Sequence, residues 1–209
     1  MPDNTPIVFV VDDDVSVRES LEWLIRKAGW RPETFATGGA FLAQPKVDVP
    51  SCLVLDVSLP DLTGLDLQKL VAADRIATPI IFITGYGDVP MTVQAMKAGA
   101  AEFLTKPFGD EVLLGAIRAS LDRSRAALGE EAERQALRQC YASLTGRERE
   151  VMMLVVSGML NKQIGAELRI SEITVKWHRG AVMRKMKARS LADLVRMAAA
   201  LNLTLVAHA

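Results

Sequence analysis

Ile7-Val8-Phe9-Val10-Val11-Asp12-Asp13-Asp14 sets five apolar residues directly against three carboxylates. Such an unbroken apolar run suits a strand buried on both faces, and the acids stand where that strand leaves the core. The same shape recurs at Cys52-Leu53-Val54-Leu55 before Asp56 and at Ile80-Ile81-Phe82-Ile83 before Thr84. A shorter version, Ala101-Glu102-Phe103-Leu104, precedes Thr105 and Lys106, and a more polar run spans Arg31 to Phe35. Helical spacings fall between them: Val17, Leu21, Leu24, Ile25 and Ala28; then Leu65, Leu67, Leu70 and Val71; then Val93, Ala95, Met96 and Ala98. Gly29 and Gly99 lie where helices should end. Five β/α units predict an α/β fold, a five-stranded doubly wound parallel sheet with helices on both faces, because parallel crossovers are right-handed.

Beyond Asp110 the pattern becomes helical, with Leu114, Ile117, Leu121 and Leu128, and no proline interrupts the charged stretch from Gly129 to Arg138. Gly129 weakens a helix by about 1 kcal/mol relative to alanine, so a flexible hinge is the alternative there. From Ser143 onward no strand pattern remains, and four short helices are expected. The reading is therefore an α/β domain over 1–122, a helical linker over 123–142 and a separate all-α domain over 143–209.

Charge divides along the same line. Residues 1–122 hold 17 Asp and Glu against 10 Lys and Arg, net −7, while residues 123–209 hold 8 against 15, net +7. An acidic half can hold a cation and a basic half can approach a polyanion, although a merely solvated surface would look the same by charge alone. Of the 209 residues, 50% are hydrophobic and 24% charged, with 14 Gly and 9 Pro, which excludes disordered, collagen-like and coiled-coil chains. Cys52 and Cys140 are far apart and form no CxxC pair, so neither a disulfide framework nor a zinc knuckle is expected and a reducing cytoplasm fits. Met1-Pro2-Asp3-Asn4 lacks a basic leader and no apolar run approaches the roughly 20 residues of a membrane span, so neither export nor a membrane is expected.

In an open parallel sheet, ligands bind beyond the carboxyl ends of the strands. There stand Asp12, Asp13 and Asp14, then Asp56, Thr84, Thr105 and Lys106. Each alone also suits a plain boundary with solvent; four strand ends converging ask for more. Crowded carboxylates raise one another's pKa unless a cation or the Lys106 ammonium offsets the charge. Mg²⁺ keeps several waters and takes one or two carboxylates directly, which Asp13 and Asp56 can supply with Asp12 acting through water. A carboxylate flanked by metal and lysine can attack a phosphoryl group, so Asp56 is the candidate nucleophile, Thr84 a hydroxyl donor to the phosphoryl oxygens and Lys106 their ion-pair partner. The Lys106-Pro107 bond, in a loop that must aim a lysine inward, is a candidate cis peptide.

These residues resemble the receiver domains of two-component response regulators, which share the flavodoxin-like fold. The resemblance covers about residues 5–122. It is carried by Val10-Val11-Asp12-Asp13, by Leu55-Asp56-Val57-Ser58-Leu59-Pro60-Asp61-Leu62-Thr63-Gly64, by Ile83-Thr84-Gly85 and by Leu104-Thr105-Lys106-Pro107-Phe108. It implies that Asp56 is phosphorylated from a sensor histidine kinase, with Asp12 and Asp13 at the metal, Ser58 lending a backbone carbonyl, and Thr84 and Lys106 sensing the phosphoryl group. Phe103 falls at the family's rotating aromatic switch; lacking a hydroxyl, it would turn inward by packing alone. A haloacid-dehalogenase-type phosphatase also forms an aspartyl phosphate, but such enzymes resemble DxD, with an acid two residues after the nucleophile. Val57-Ser58 follows Asp56 here, so no enzymatic turnover of an external substrate is expected.

In the basic half, Leu144-Thr145-Gly146-Arg147-Glu148-Arg149-Glu150-Val151 opens a helix with Thr145 as N-cap and Glu148 as capping-box partner. Asn161 to Leu168 forms a second helix, a turn follows at Arg169-Ile170-Ser171, and Ser171 caps a third from Glu172 to Met186. Val175, Val182 and Met186 share its core face, while Lys176, Arg179 and Arg184 lie off it. Two short helices and a tight turn, the second helix basic outside, suit a major-groove reader, although a solvated basic helix has the same charge pattern.

Residues 143–198 resemble the DNA-binding domain of LuxR-type regulators, through the Leu144 to Val151 string, Asn161-Lys162-Gln163-Ile164, Ile170-Ser171-Glu172-Ile173-Thr174-Val175-Lys176-Trp177-His178 and Arg189-Ser190-Leu191-Ala192-Asp193-Leu194-Val195. A receiver followed by such a domain resembles the FixJ and NarL type, FixJ more closely. The match implies Lys176, Trp177 and Gly180 at the groove, Thr174 among the DNA contacts, and Lys162, Arg179 and Arg184 at phosphates. Gly180 replaces a longer polar residue and removes a base contact. Trp177 is bulky for the groove, so it either packs on thymine methyls or is partly buried. His178, with His208 the only other histidine, is expected at the surface or at a phosphate.

The whole predicts a cytoplasmic transcription regulator switched by phosphorylation, with a sensor kinase and promoter DNA as partners and a homodimer forming on phosphorylation. A protein-binding helical output module is the competitor, and steep salt dependence of DNA affinity would separate the two.

Overall fold

The computed structural model describes residues 5–74, 77–85 and 89–203. The tetrapeptide Met1 to Asn4 and His208 lie outside them. Within the first compact unit, residues 1–129, five parallel strands run β1 (Ile7–Val11), β2 (Arg31–Phe35), β3 (Ser51–Asp56), β4 (Ile80–Thr84) and β5 (Glu102–Thr105), ordered β2-β1-β3-β4-β5. Five helices alternate with them: α1 (Val15–Lys27), α2 (Gly38–Leu42), α3 (Gly64–Asp74), α4 (Val89–Lys97) and α5 (Asp110–Ala142). The α/β expectation is met.

Alternation along the strands builds two cores. Ile7, Phe9, Val11, Leu53, Leu55 and Phe82 pack with Phe41 of α2, Leu67 and Val71 of α3 and Ala95 of α4. Val8, Val10, Cys52, Val54, Ile81 and Ile83 pack on the other face with Leu21, Leu24 and Ile25 of α1 and Leu113, Ile117 and Leu121 of α5. The three central strands are thus covered on both sides, which explains their unbroken apolar runs. The edge strand β5 departs from that reading: Glu102 and Thr105 are exposed and Phe103 and Leu104 only half-buried.

Helix faces differ from the expected ones at several positions. Leu70, Val93 and Met96 are exposed, while Gln68 is buried and donates from Nε2 to the Ala95 carbonyl at 3.1 Å. On α5 the inward row is Leu113, Ile117, Leu121 and Ser124, whereas Leu114 and Leu128 are half-buried. Ser124 replaces an apolar anchor with hydrogen bonds: its Oγ accepts from the Ser51 amide at 2.9 Å and donates to the Ala77 carbonyl at 2.5 Å. Gly29 and Gly99 end α1 and α4 with φ of 88° and 91°, which a glycine adopts without a Cβ clash. α5 is a single 33-residue helix, with Gly129 inside it.

The second unit, residues 130–209, contains α6 (Gly146–Val156), α7 (Asn161–Leu168), α8 (Glu172–Met186) and α9 (Leu191–Ala200). Leu144, Val151, Met152, Val155, Ile164, Val175, Val182, Met186 and Leu194 form its core. Arg169 ends α7 in the left-handed region at φ 53°, and the turn then lies against Gly165, where a Cβ would stand 2.8 Å from the Ile170 carbonyl. Only glycine at 165 lets the backbone of the turn pass that close.

Candidate functional site

The strand order reverses between β1 and β3, and at such a switch point the loops diverge to leave a crevice. Asp12 and Asp56 stand on either side of it. Lys106 reaches in from beyond β5 and donates from Nζ to Asp12 Oδ2 at 2.8 Å and to Asp56 Oδ1 at 3.5 Å. Its own amide is held by the Thr84 carbonyl at 2.7 Å, and the Lys106-Pro107 peptide is cis. Thr84 is buried one residue beyond Ile83, the β4 residue that pairs with Asp56. The structure therefore gathers Asp12, Asp56, Thr84 and Lys106, four residues that ended or followed apolar runs in the sequence.

Burial decides the electrostatics. Asp56, 7% exposed, has its pKa raised by desolvation and by the neighbouring Asp12, and the Lys106 charge and the Ser58 amide, at 3.2 Å from Oδ2, offset only part of this. Burial disfavours the Lys106 ammonium, yet its hydrogen bond to Asp12 and the two carboxylate charges hold its pKa above the usual value. One ammonium is thus shared by two carboxylates, and the site carries excess negative charge that a further cation can relieve.

Asp13 is exposed, and among the described residues no hydrogen bond or ion pair engages its carboxylate. Also among the described residues, no three His, Cys, Asp or Glu side chains gather closely enough to cage a metal. The donors are all oxygen and few, which suits a hard ion that keeps most of its water and excludes a closed zinc-type site.

Three further residues shape this edge without having been singled out. Arg18 donates from one guanidinium nitrogen to the carbonyls of Asp12 at 2.7 Å and Asp13 at 2.9 Å, tying the acidic loop to α1. Asp61 accepts the amides of Gly38 at 3.2 Å and Gly39 at 2.7 Å, and these bonds hold its carboxyl below the usual range. At Gly64 a Cβ would lie 2.6 Å from the Asp56 carbonyl and 3.1 Å from the Phe82 ring. Phe103 is half-buried with its ring centroid 6.0 Å from that of Phe82. The "xxxDLTG" part of the Asp56 string carried the signal for Gly64; nothing local signalled Arg18.

In the second unit the Thr145–Glu148 capping box is present, and Glu148, 3% exposed, also accepts from Lys185 of α8 at 2.6 Å. These bonds hold its carboxyl below the usual range, the Lys185 hydrogen bond contributing most. Arg147 crosses to the Leu168 carbonyl at 2.6 Å and so closes the end of α7. The frame presents α8 outward: Lys176, Trp177, Gly180 and Arg184 are exposed, as is Lys162 at the start of α7. Trp177 is 67% exposed, so of its two alternatives, packing on thymine methyls or partial burial, the second does not hold. Three residues expected at DNA have partners within the protein: Arg179 donates to Asn161 Oδ1 at 2.7 Å, Thr174 shares a 2.8 Å hydroxyl contact with Ser171, and Lys176 forms a surface ion pair with Glu172 at 3.2 Å. His178 is half-buried, and among the described residues its Nδ1 has no hydrogen-bond partner.

An acidic switch-point site on one unit and a helix-turn-helix on the other define a signalling protein with a nucleic-acid output. Residues 8–118 match the response regulator receiver domain, and residues 142–198 match the bacterial regulatory proteins of the LuxR family. Nodulation protein W of Bradyrhizobium diazoefficiens is 52% identical over 200 residues, covering 95% of this chain and 87% of that one. The transcriptional regulatory protein FixJ of Azorhizobium caulinodans is 44% identical over 198 residues, covering 95% and 93%. The solved structure of the response regulator StyR superposes with a TM-score of 0.83 at 47% identity, covering 93% of this chain and 98% of that chain. The chain belongs to the response regulators that join a receiver domain to a LuxR-type DNA-binding domain. No helix among the described residues is long and apolar enough to cross a membrane.

Proposed function

We propose that Asp56 is the phosphoacceptor, that a sensor histidine kinase is the donor, and that phosphorylation raises the affinity of the helices beyond residue 143 for promoter DNA. One observation carries this reading: Asp12 and Asp56 converge on the single Lys106 ammonium at the switch point, leaving a carboxylate whose charge is only partly offset. An Asp56 oxygen attacks phosphorus, the bond from phosphorus to the donor nitrogen breaks, and an acyl phosphate remains. Lys106 pairs with a phosphoryl oxygen, and Thr84 donates its hydroxyl to another. Asp13, Asp56 and the Ser58 carbonyl would hold Mg²⁺, with Asp12 acting through its water. When bound, the ion neutralises the phosphoryl oxygens during transfer. The site turns over no external substrate.

The new charge draws Thr84 inward and repacks the face that carries Phe103 and α5. Val89, Val93 and Met96 stand exposed on one stripe of α4, at 76%, 44% and 43%, which supports a homodimer formed through this side. A dimer spans two half-sites one helical turn apart. With the receiver over 1–122 and the output domain from 143, Lys176, Trp177 and Gly180 enter the groove, with Thr174 beside them. Lys162, Arg184 and, once released from Asn161, Arg179 hold phosphates. The protein acts in the cytoplasm.

The test compares wild type and Asp56→Asn, each with and without acetyl phosphate and Mg²⁺, for DNA retention across a salt series. Wild type alone should gain affinity from the phosphodonor, and log affinity should fall steeply with log salt. Equal affinity of both proteins under all conditions would overturn the switch; salt-independent retention would favour a protein-binding output.

A further inference from the structure

α8 carries an exposed pair that the charge pattern hides. Ile173 is 79% and Trp177 67% exposed, four residues apart and therefore one above the other on the helix surface. Gly180, three residues on, adds no side chain, so the outward face between Ile173 and Arg184 is apolar along its centre. Of the polar groups nearby, Lys176 forms an exposed ion pair with Glu172 at 3.2 Å, and Thr174 shares its hydroxyl with Ser171. Exposed cations remain at the margins, on Lys162 and Arg184.

An apolar stripe flanked by cations fits one kind of surface closely. Phosphates lie on both walls of the major groove, and the 5-methyl of thymine is the apolar group on its floor. We propose that Ile173 and Trp177 read thymine methyl groups at neighbouring positions of each half-site, so that sequence choice rests on apolar contact more than on bidentate hydrogen bonding. This rests on the DNA-binding reading above and names what that helix selects.

Deoxyuridine tests it, because replacing dT with dU removes the methyl and leaves every hydrogen-bonding group in place. A preferred duplex is first selected from a randomised pool on the full chain treated with acetyl phosphate and Mg²⁺. Each thymine is then replaced singly. The expected result is an affinity loss of about fourfold at one or two positions per half-site, the worth of burying one methyl. Trp177→Ala and Ile173→Ala should bind the dT and dU duplexes equally at those positions. Both residues are exposed, so neither substitution opens the core. If no dU replacement changes affinity while binding stays salt-dependent, methyl readout is wrong and DNA binding stands. If the selected site holds no thymine under α8, or the variants keep the full dU penalty, the pair is not the reader. Failure to retain any duplex would end both readings.

Discussion

At the carboxyl edge of the receiver sheet, Asp12 and Asp56 are nearly buried and lie within 3.5 Å of one lysine nitrogen. On α8 Lys176 and Arg184 are spread along the helix, solvent-exposed and placed beside apolar side chains. The difference follows from what each region must do. Phosphoryl transfer needs charges converging where water screens them poorly, so each has a large effect on its neighbours. Recognition of a long polyanion needs charges that remain hydrated until the partner arrives and releases its counterions. The same contrast appears in how the two frames are made: both rely on a glycine against a backbone carbonyl, Gly64 below Asp56 and Gly165 beside the turn.

The largest effect should come from Asp56→Asn, which should abolish uptake of a phosphoryl group from acetyl phosphate, read by intact mass. Next come the two glycines. An alanine Cβ at Gly64 or Gly165 meets backbone at 2.6 or 2.8 Å, and the forced shift should cost about 2 kcal/mol or more. Gly64→Ala should lose phosphoryl uptake and keep the basal DNA affinity, and Gly165→Ala should do the reverse. A shared loss would break the division between the regions.

Acidification separates them by sign. Glu148 titrates below the usual range, so its stabilisation is present at neutral pH and is lost as pH falls through that lowered value. Glu148→Ala should therefore destabilise the second unit by about 2 kcal/mol at neutral pH and less in acid, read by Trp177 fluorescence in Trp23→Phe/Trp30→Phe protein. Asp56 is raised, so its folded form is favoured below the unfolded carboxylate pKa and loses ground as pH rises through its own value. Asp56→Asn should consequently raise the melting temperature at neutral pH, with the gain vanishing in acid. The smallest effect is expected from Arg18→Ala, a few-fold slower phosphorylation with unchanged basal DNA affinity, because it removes only the tie on two loop carbonyls.

Asp12, Asp56, Thr84 and Lys106 were legible because each ends or follows an apolar run, and the sheet brings all such ends to one edge. Thr145, Glu148 and Ser171 were legible because helix caps are local. Arg18 was not: its role depends on α1 folding back over the loop that precedes it. Nor was the pairing of Lys185 with Glu148, which lie 37 residues apart. Apolar spacing also misled, since Leu70, Val93 and Met96 continue a helical pattern yet face solvent, while Gln68 takes the buried place through one hydrogen bond.

The order of strands and helices, the split into an acidic and a basic half, and the set of polar residues that meets at one edge of the sheet followed from the sequence, because strand burial and helix capping depend on neighbours along the chain. Tertiary structure alone decided how Lys106 divides between two carboxylates, which helix faces stay exposed, and that Ile173 and Trp177 stand together in solvent, because those depend on which distant segments compete for the same space.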